Sequence, residues 1–248
     1  MTKRNEQLSV QQAKPSLDEI NRSVQVPGVY EPSFVQKFLA YSGPGALVAV
    51  GYMDPGNWLT ALEGGSRYHE TLLAVLLLSI LAAMFMQTLA IKLGVVARLD
   101  LAQAIAAFVP KWSRIGLWLV NEAAMMATDM TGVVGTAIAL KLLFGLPLMW
   151  GMLLTIADVL VVLMFLRFGI RRIELIVLAS ILTVGIIFGI EVVRARPSMG
   201  GIVAGLVPHT EILTNRGMLL LSLGIMGATI MPHNIYLHSS LAQSRRYD

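Results

Sequence analysis

Two short motifs place candidate ligand atoms beside helix-breaking residues within apolar sequence. The first is Asp-Pro-Gly-Asn at 54–57, and the second is Met-Pro-His-Asn at 231–234. Asp54 offers a carboxylate, Asn57 an amide oxygen and Met231 a thioether sulfur. Oxygen ligands alone suit Mg²⁺ or Ca²⁺, whereas a soft sulfur favours transition metals. If the two motifs face each other, they predict a site for Mn²⁺, Fe²⁺ and similar ions.

The elements that carry these motifs are predicted to be membrane-spanning helices. Hydrophobic residues make up 56% of the chain and charged residues 14%, and the mean hydropathy is +0.69, which is outside the usual range of soluble domains. The apolar runs are continuous and lack the alternation that a membrane β-barrel needs. With about 20 apolar residues needed for each crossing, the runs predict six spans, at 39–66, 71–96, 115–141, 146–167, 173–193 and 217–241.

The distribution of charge predicts the topology. We expect residues 1–36 to form a polar cytoplasmic tail without a cleavable signal peptide, and residues 37–248 to form the transmembrane domain. With the N-terminus inside, 14 Lys and Arg residues lie in cytoplasmic segments and five lie outside. The positive-inside rule then predicts a multi-pass protein of the cell membrane with a cytoplasmic N-terminus. The absence of cysteine excludes disulfides and thiolate ligation of a metal.

The prolines and the glycine of the motifs are predicted to break the first and sixth spans. Pro55 removes a backbone donor, and Gly56 permits backbone angles that a helix does not use. Pro232 disfavours helical geometry before it, so carbonyls near Ala228 lose their helical donors. In lipid, such carbonyls are tolerated only when buried in protein or lining a wet cavity. A carbonyl in the Ala228 region is therefore a fourth candidate ligand.

Each motif also has an ordinary interpretation. A proline kink or a loop would explain either motif alone, and most of the 14 methionines must be packing residues. Two broken helices at matching positions are instead typical of secondary transporters whose site is near the bilayer midplane.

Further polar residues fall within the predicted spans, where an ionisable group costs at least ~2.5 kcal/mol and usually faces a cavity or a partner. His233 can carry a proton beside the metal, because histidine titrates near neutral pH; a hydrogen bond to a backbone carbonyl is the competing interpretation. His233 and His238 are about 140° apart around a helix, so they are not expected to chelate together. Glu122 and Asp129 share one face of the third span, as a polar lining or as partners of an arginine such as Arg245.

The motifs together resemble the Nramp family of proton-coupled divalent metal transporters. The resemblance rests on DPGN in the first span, MPHN followed by IYLHSS in the sixth, TDM with GTAIAL in the third, and FGIRRIE at the start of the fifth. It implies an all-α membrane protein with the LeuT-like inverted-repeat fold, in which helices 1 and 6 are broken at the midplane. This chain would contain the first repeat of five helices and the sixth helix. The resemblance also implies import of Mn²⁺ or Fe²⁺ with protons.

The resemblance assigns roles to individual residues. It implies that the metal ligands are Asp54, Asn57, the Ala228 carbonyl and Met231. It implies that the proton pathway uses Asp54, His233, Asp129 and Arg245, and we add Glu122 to this set. Gln87 and His238 are expected to contact the ligands without binding the metal themselves.

Two departures from the family pattern affect these expectations. Gly132 stands where relatives usually carry a glutamate, so Glu122 or His233 would carry more of the proton transfer. The sequence ends at Asp248, just after the sixth span, and we expect a fragment or truncated product that does not transport by itself.

Two other functions stay open at this stage. One is a symporter of a small organic solute with the same fold, although Asp54 would repel a substrate carboxylate at a helix N-terminus. The other is a membrane protein that does not transport. We expect no enzymatic activity, because the sequence has no nucleophile elbow, phosphate loop or HExxH pattern. The expected partners are divalent metal ions, protons and the lipid bilayer, with no cofactor and no nucleic acid.

Overall fold

The computed structural model describes residues 24–25, 45, 48–165, 170–243 and 245–246, and these residues are almost entirely helical. The first half contains helices α1 (Pro55–Tyr68), α2 (Leu73–Lys92), α3 (Leu101–Phe108), α4 (Lys111–Phe144) and α5 (Leu148–Phe165). The second half contains helices α6 (Ile170–Ala195), α7 (Met199–Gly205), α8 (Glu211–Thr214), α9 (Arg216–Thr229) and α10 (Pro232–Ala242). Strands β1 (Val24–Gln25) and β2 (Arg245–Arg246) pair in parallel over two residues each. The predicted all-α class is confirmed.

Four stretches of the described residues are long and apolar enough to cross a membrane. They are Pro55–Ala97, Lys111–Phe144, Leu175–Ala195 and Arg216–Ala242. Large apolar side chains are exposed along them, as expected of a surface that faces lipid, and examples are Phe85, Val120 and Ile186. Most of the predicted tail and parts of the predicted spans 39–66 and 146–167 lie outside the described residues. The division into six spans stays a prediction.

The chain forms two compact units. One contains Met84–Met125 and the segment from Pro232 onward, and the other contains Ala49–Ala83 and Met126–Met231. The core of the second unit joins α9 to α8 and to the start of α2, and it consists of Leu72, Val75, Ile212, Met218 and Ile225. This core fixes α9, which leads to the second motif.

In the first unit, α10 packs against the corner between α2 and α3. The corner contains a π-helical turn at Leu93–Ala97. A Cβ added at Gly94 would lie 2.9 Å from the Cβ of Ala242 and closer still to an α10 carbonyl, so only glycine permits this approach. The corner ends in a capping box at the start of α3. The Asp100 carboxylate accepts from the backbone amide of Gln103 at 2.8 Å, and the side-chain oxygen Oε1 of Gln103 accepts from the backbone amide of Asp100 at 3.0 Å.

The segment 194–216 connects the predicted spans 173–193 and 217–241. It contains the two short helices α7 and α8. The Ser198 hydroxyl accepts from the amide of Gly201 at 3.1 Å and caps α7. A Cβ added at Gly205 would meet the Glu70 backbone, which shows how closely this segment lies on the turn before α2. The sequence missed these helices because they are short and depend on that tertiary contact.

Candidate functional site

The first motif interrupts a helix. Residues 48–51 are helical, and tighter turns follow, in which the amides of Tyr52 and Met53 donate three residues back at 3.1 and 2.9 Å. Asp54 has non-helical angles, with φ −55° and ψ 134°, and helix α1 starts at Pro55. Proline is favoured at the first position of a helix because its φ is already helical and its missing amide has no partner there. The helix therefore stops and restarts within the motif.

The two candidate ligands of this motif are fixed by local hydrogen bonds. The Asp54 carboxylate accepts from the Gly56 amide at 2.9 Å and caps α1. The Asn57 amide donates to the Asp54 carbonyl at 3.0 Å, and its side-chain nitrogen Nδ2 lies 3.4 Å from the Tyr52 carbonyl as a donor. The Asn57 side-chain oxygen takes no part in that bond. Both ligands thus depend on the backbone of the break for their position.

The second motif separates α9 from α10. Helix α9 ends at Thr229, and Ile230 leaves the helical region with φ −93° and ψ 77°. The carbonyl of Ala228 would normally accept from the amide of residue 232, but that residue is Pro232 and has no N–H. Met231 lies between the two helices and is only 4% exposed. A carbonyl without its helical donor and a buried thioether therefore lie within four residues of each other.

Helices α1 and α9 pack against each other in antiparallel directions. A Cβ added at Gly224 would lie 3.3 Å from Cγ2 of Thr60, and one added at Gly217 would lie 3.6 Å from Cζ of Tyr68. The turn before Thr60 carries the first motif, and the turn after Gly224 carries the second. Continued in this register, the start of α1 runs alongside the end of α9. All four candidate metal ligands belong to this one unit.

Helix α4 also touches the first break, through residues that the sequence analysis missed. A Cβ added at Gly56 would lie 3.2 Å from the hydroxyl oxygen of Thr131. One added at Gly135 would lie 3.0 Å from Cγ of Pro55 and closer still to its Cβ. Thr131 and Gly135 are one helical turn apart. Their small size and spacing were the available signal, but the sequence does not tell which helix lies against them.

The two histidines of α10 have buried ring atoms. His233 is half-buried and His238 is 6% exposed. In both, Nδ1 is buried and has no hydrogen-bond partner among the described residues. A neutral imidazole nitrogen can accept or donate according to its tautomer. At Nδ1, neither ring makes a hydrogen bond to a backbone carbonyl of the described residues.

The remaining candidate residues are spread over several elements. Asp129 is exposed and Glu122 half-buried on α4, and Gln87 is half-buried on α2. Arg245 belongs to β2, where it pairs with Val24. Gln87, Glu122 and the α10 histidines lie in the first unit, as does Arg245, whereas Asp54 and Asp129 lie in the second.

Clusters of several acidic or histidine side chains are the usual sign of a metal centre. Within the described part of the chain, no three or more His, Asp and Glu side chains come together in this way. The predicted site differs in kind, because it has one carboxylate, one amide, one backbone carbonyl and one thioether.

Comparison with known proteins gives consistent matches. The profile of the Nramp family, "Natural resistance-associated macrophage protein-like", matches residues 45–248. The divalent metal cation transporter MntH of Latilactobacillus sakei is 50% identical over 233 residues, which are 94% of this chain and 50% of that protein. MntH of Listeria welshimeri is 49% identical over 236 residues, which are 95% of this chain and 52% of that protein. The chain spans about half the length of these relatives.

Solved structures give the same result. The manganese transporter of Eremococcus coleocola, crystallised with an aromatic bis-isothiourea substituted compound, matches with a TM-score of 0.81 at 44% identity. The match covers 95% of this chain and 48% of that one. A mutant of the same transporter matches with the same TM-score and coverage.

Proposed function

The chain belongs to the Nramp family and is a multi-pass membrane protein with its LeuT-like fold, and on that premise we propose that the whole protein imports Mn²⁺ or Fe²⁺ together with protons. The observation that carries this proposal is the pair of helix interruptions at Asp54 and Met231. They occur on helices that pack antiparallel, with Asp54 capping α1 and Met231 buried after α9. We further propose that the N-terminus is cytoplasmic and that the protein catalyses no chemical reaction.

The ligand chemistry supports a transition metal as the substrate. Asp54 supplies the negative charge, and Asn57 and the Ala228 carbonyl supply neutral oxygens. Met231 supplies a polarizable sulfur, which Mg²⁺ and Ca²⁺ bind poorly and Mn²⁺ or Fe²⁺ tolerate better. A site with one charge also binds weakly enough for the ion to leave, which conduction and transport both require.

The proton pathway that we propose starts at Asp54, whose carboxylate exchanges a proton as the metal binds. His233 at the start of α10 accepts the proton next, and its buried Nδ1, which has no hydrogen-bond partner among the described residues, supports this role. Asp129 and Glu122 line α4, and Arg245 follows α10 at the inner end. Gly132 supplies no acid to this pathway. The space around it is open, because an added Cβ there meets no atom of the described residues within 4 Å.

Mn²⁺ uptake by the whole protein in proteoliposomes tests the proposal. Asp54→Asn is the informative variant, because asparagine is also a good N-cap and keeps the start of α1 while it removes the charge. We expect it to lower Mn²⁺ uptake at least tenfold, because the only charged ligand is lost. Glu63→Gln is the matched control, since it neutralises an exposed carboxylate of the same helix whose partner is Arg67. We expect that variant to transport normally.

Unchanged Mn²⁺ uptake in Asp54→Asn would refute the metal site.

A competition experiment separates metal transport from the alternative of organic-solute transport. Under our proposal, Fe²⁺ competes with Mn²⁺ and amino acids do not. Uptake of an amino acid that Mn²⁺ leaves unaffected would overturn the proposal in favour of that alternative.

A further inference from the structure

We infer that Thr131 and Gly135 of α4 are positioning residues that set the geometry of the first helix break and thereby the affinity for the metal. The inference rests on the proposed function, because it concerns the placement of Asp54 and Asn57. Neither α4 residue supplies a ligand. They act through Pro55 and Gly56.

The contact between α4 and the break is tight at two points. Gly135 faces the ring of Pro55, and a Cβ there would lie 3.0 Å from Cγ and 3.5 Å from Cα of that proline, with Cβ nearer still. Gly56 faces Thr131, whose Oγ1 and Cβ would lie 3.2 and 3.5 Å from a Cβ added at Gly56. A proline ring cannot rotate away as a long side chain can. The space at Gly135 therefore defines where Pro55 lies.

Thr131 is suited to this contact because its hydroxyl is already satisfied. It donates to the Thr128 carbonyl of the same helix at 2.7 Å. The side chain is thereby held in one rotamer and presents a compact surface to Gly56. Gly56 in turn has little room of its own, since an added Cβ would also lie 2.6 Å from Oδ2 of Asp54.

Hydrogen bonds within the break tie the positions of both ligands to the position of its backbone. The Gly56 amide donates to the Asp54 carboxylate at 2.9 Å, and the Asn57 amide donates to the Asp54 carbonyl at 3.0 Å. Restoring ordinary carbon separations of about 3.5–4.0 Å after Gly135→Ala requires Pro55 to move by on the order of 1 Å. Metal–ligand distances tolerate about 0.2 Å. A shift of the break therefore disturbs both ligands well beyond that tolerance.

The test compares Gly135→Ala with Gly116→Ala in the whole protein. Gly116 lies on the same helix, and a Cβ there meets no atom of the described residues within 4 Å. Mn²⁺ binding is measured by titration calorimetry, Mn²⁺ uptake by its KM and kcat, and folding by thermal unfolding in detergent. We expect Gly135→Ala to raise Kd and KM for Mn²⁺ at least tenfold with a smaller change in kcat. Gly116→Ala is expected to match the unmodified protein.

A third variant shows whether the Pro55 contact is the cause. Pro55→Gly removes the clashing ring and leaves Cα, which is 3.5 Å from the added Cβ. In the Gly135→Ala background, we expect Pro55→Gly to recover part of the lost affinity, so the two effects are not additive.

Wild-type-like Mn²⁺ affinity in Gly135→Ala would overturn the inference, and so would a loss that Pro55→Gly does not relieve. A defect of the same size in Gly116→Ala would overturn it as well, because the helix rather than the contact would be responsible. Failure of the unmodified protein to bind or take up Mn²⁺ is a different result and refutes the proposed function itself.

Discussion

Removal of the Ser239 hydroxyl is predicted to destabilise the C-terminal end of α10. Ser239 is fully buried, at 0% exposure. Its hydroxyl oxygen accepts from the Leu101 amide at 3.0 Å, and its proton is donated to the Tyr236 carbonyl at 2.7 Å. Leu101 is the first residue of α3, so its amide has no partner within that helix. The serine thus supplies an acceptor that the helix start needs.

The expected cost of Ser239→Ala follows from this geometry. The Leu101 amide would be left beside the buried residues Leu99 and Asp100, which are 3% and 2% exposed. A fully buried donor without an acceptor costs about 1–3 kcal/mol, and the lower part of that range applies here because Leu101 is half-buried. For a domain of 150–250 residues each kcal/mol lowers the Tm by roughly 2–4 °C, and the shift is smaller for a longer chain. We therefore expect the Tm in detergent to fall by about 1–3 °C.

Thermal unfolding of the whole protein, followed by circular dichroism, measures this effect. Ser240→Ala is the matched control, because that hydroxyl donates to the same Tyr236 carbonyl at 3.3 Å within its own helix. We expect its Tm to change by less than half as much. Equal shifts in the two variants, or no shift in Ser239→Ala, would refute the reasoning.

Three further predictions concern the metal selectivity and the corner between α2 and α3. Met231→Ala is expected to let Mg²⁺ and Ca²⁺ compete with Mn²⁺ uptake, because the sulfur that disfavours them is gone. Unchanged competition would show that Met231 does not set the selectivity against Mg²⁺ and Ca²⁺. Asp100→Ala is expected to cost about 0.5–2 kcal/mol by loss of the cap, whereas Asp100→Asn keeps it, and denaturant unfolding that gives equal losses would contradict the capping role. Gly94→Ala is expected to lower the Tm through its clash with Ala242, while Gly65→Ala, which meets no described atom within 4 Å, serves as the control.

The breaks and the helices around them were predictable from the sequence because their causes are local. Pro55 lacks an amide wherever the helix lies in the protein, and Pro232 withholds a donor from Ala228 for the same reason. Asp54 is a favoured capping residue before a proline. The chain therefore encodes the interruptions within a few residues of where they occur.

The parts that were missed depend on contacts between distant residues. The role of Gly135 appears only when Pro55 is seen against it, 80 positions earlier in the chain. The π-helical turn at Leu93–Ala97 contains no proline from which it could have been predicted. It occurs where Gly94 approaches α10 closely. Small residues in an apolar run indicate close packing, but they do not identify the partner.

The backbone ligand that we propose at Ala228 has a consequence for mutational scanning. The residue is already alanine, and the atom that would bind the metal is present in every amino acid, so replacing the side chain leaves that ligand in place. Its availability is set four positions later, where Pro232 provides no amide. A scan that scores each position by its own side chain would pass over this ligand, and the loss would be recorded at Pro232 instead.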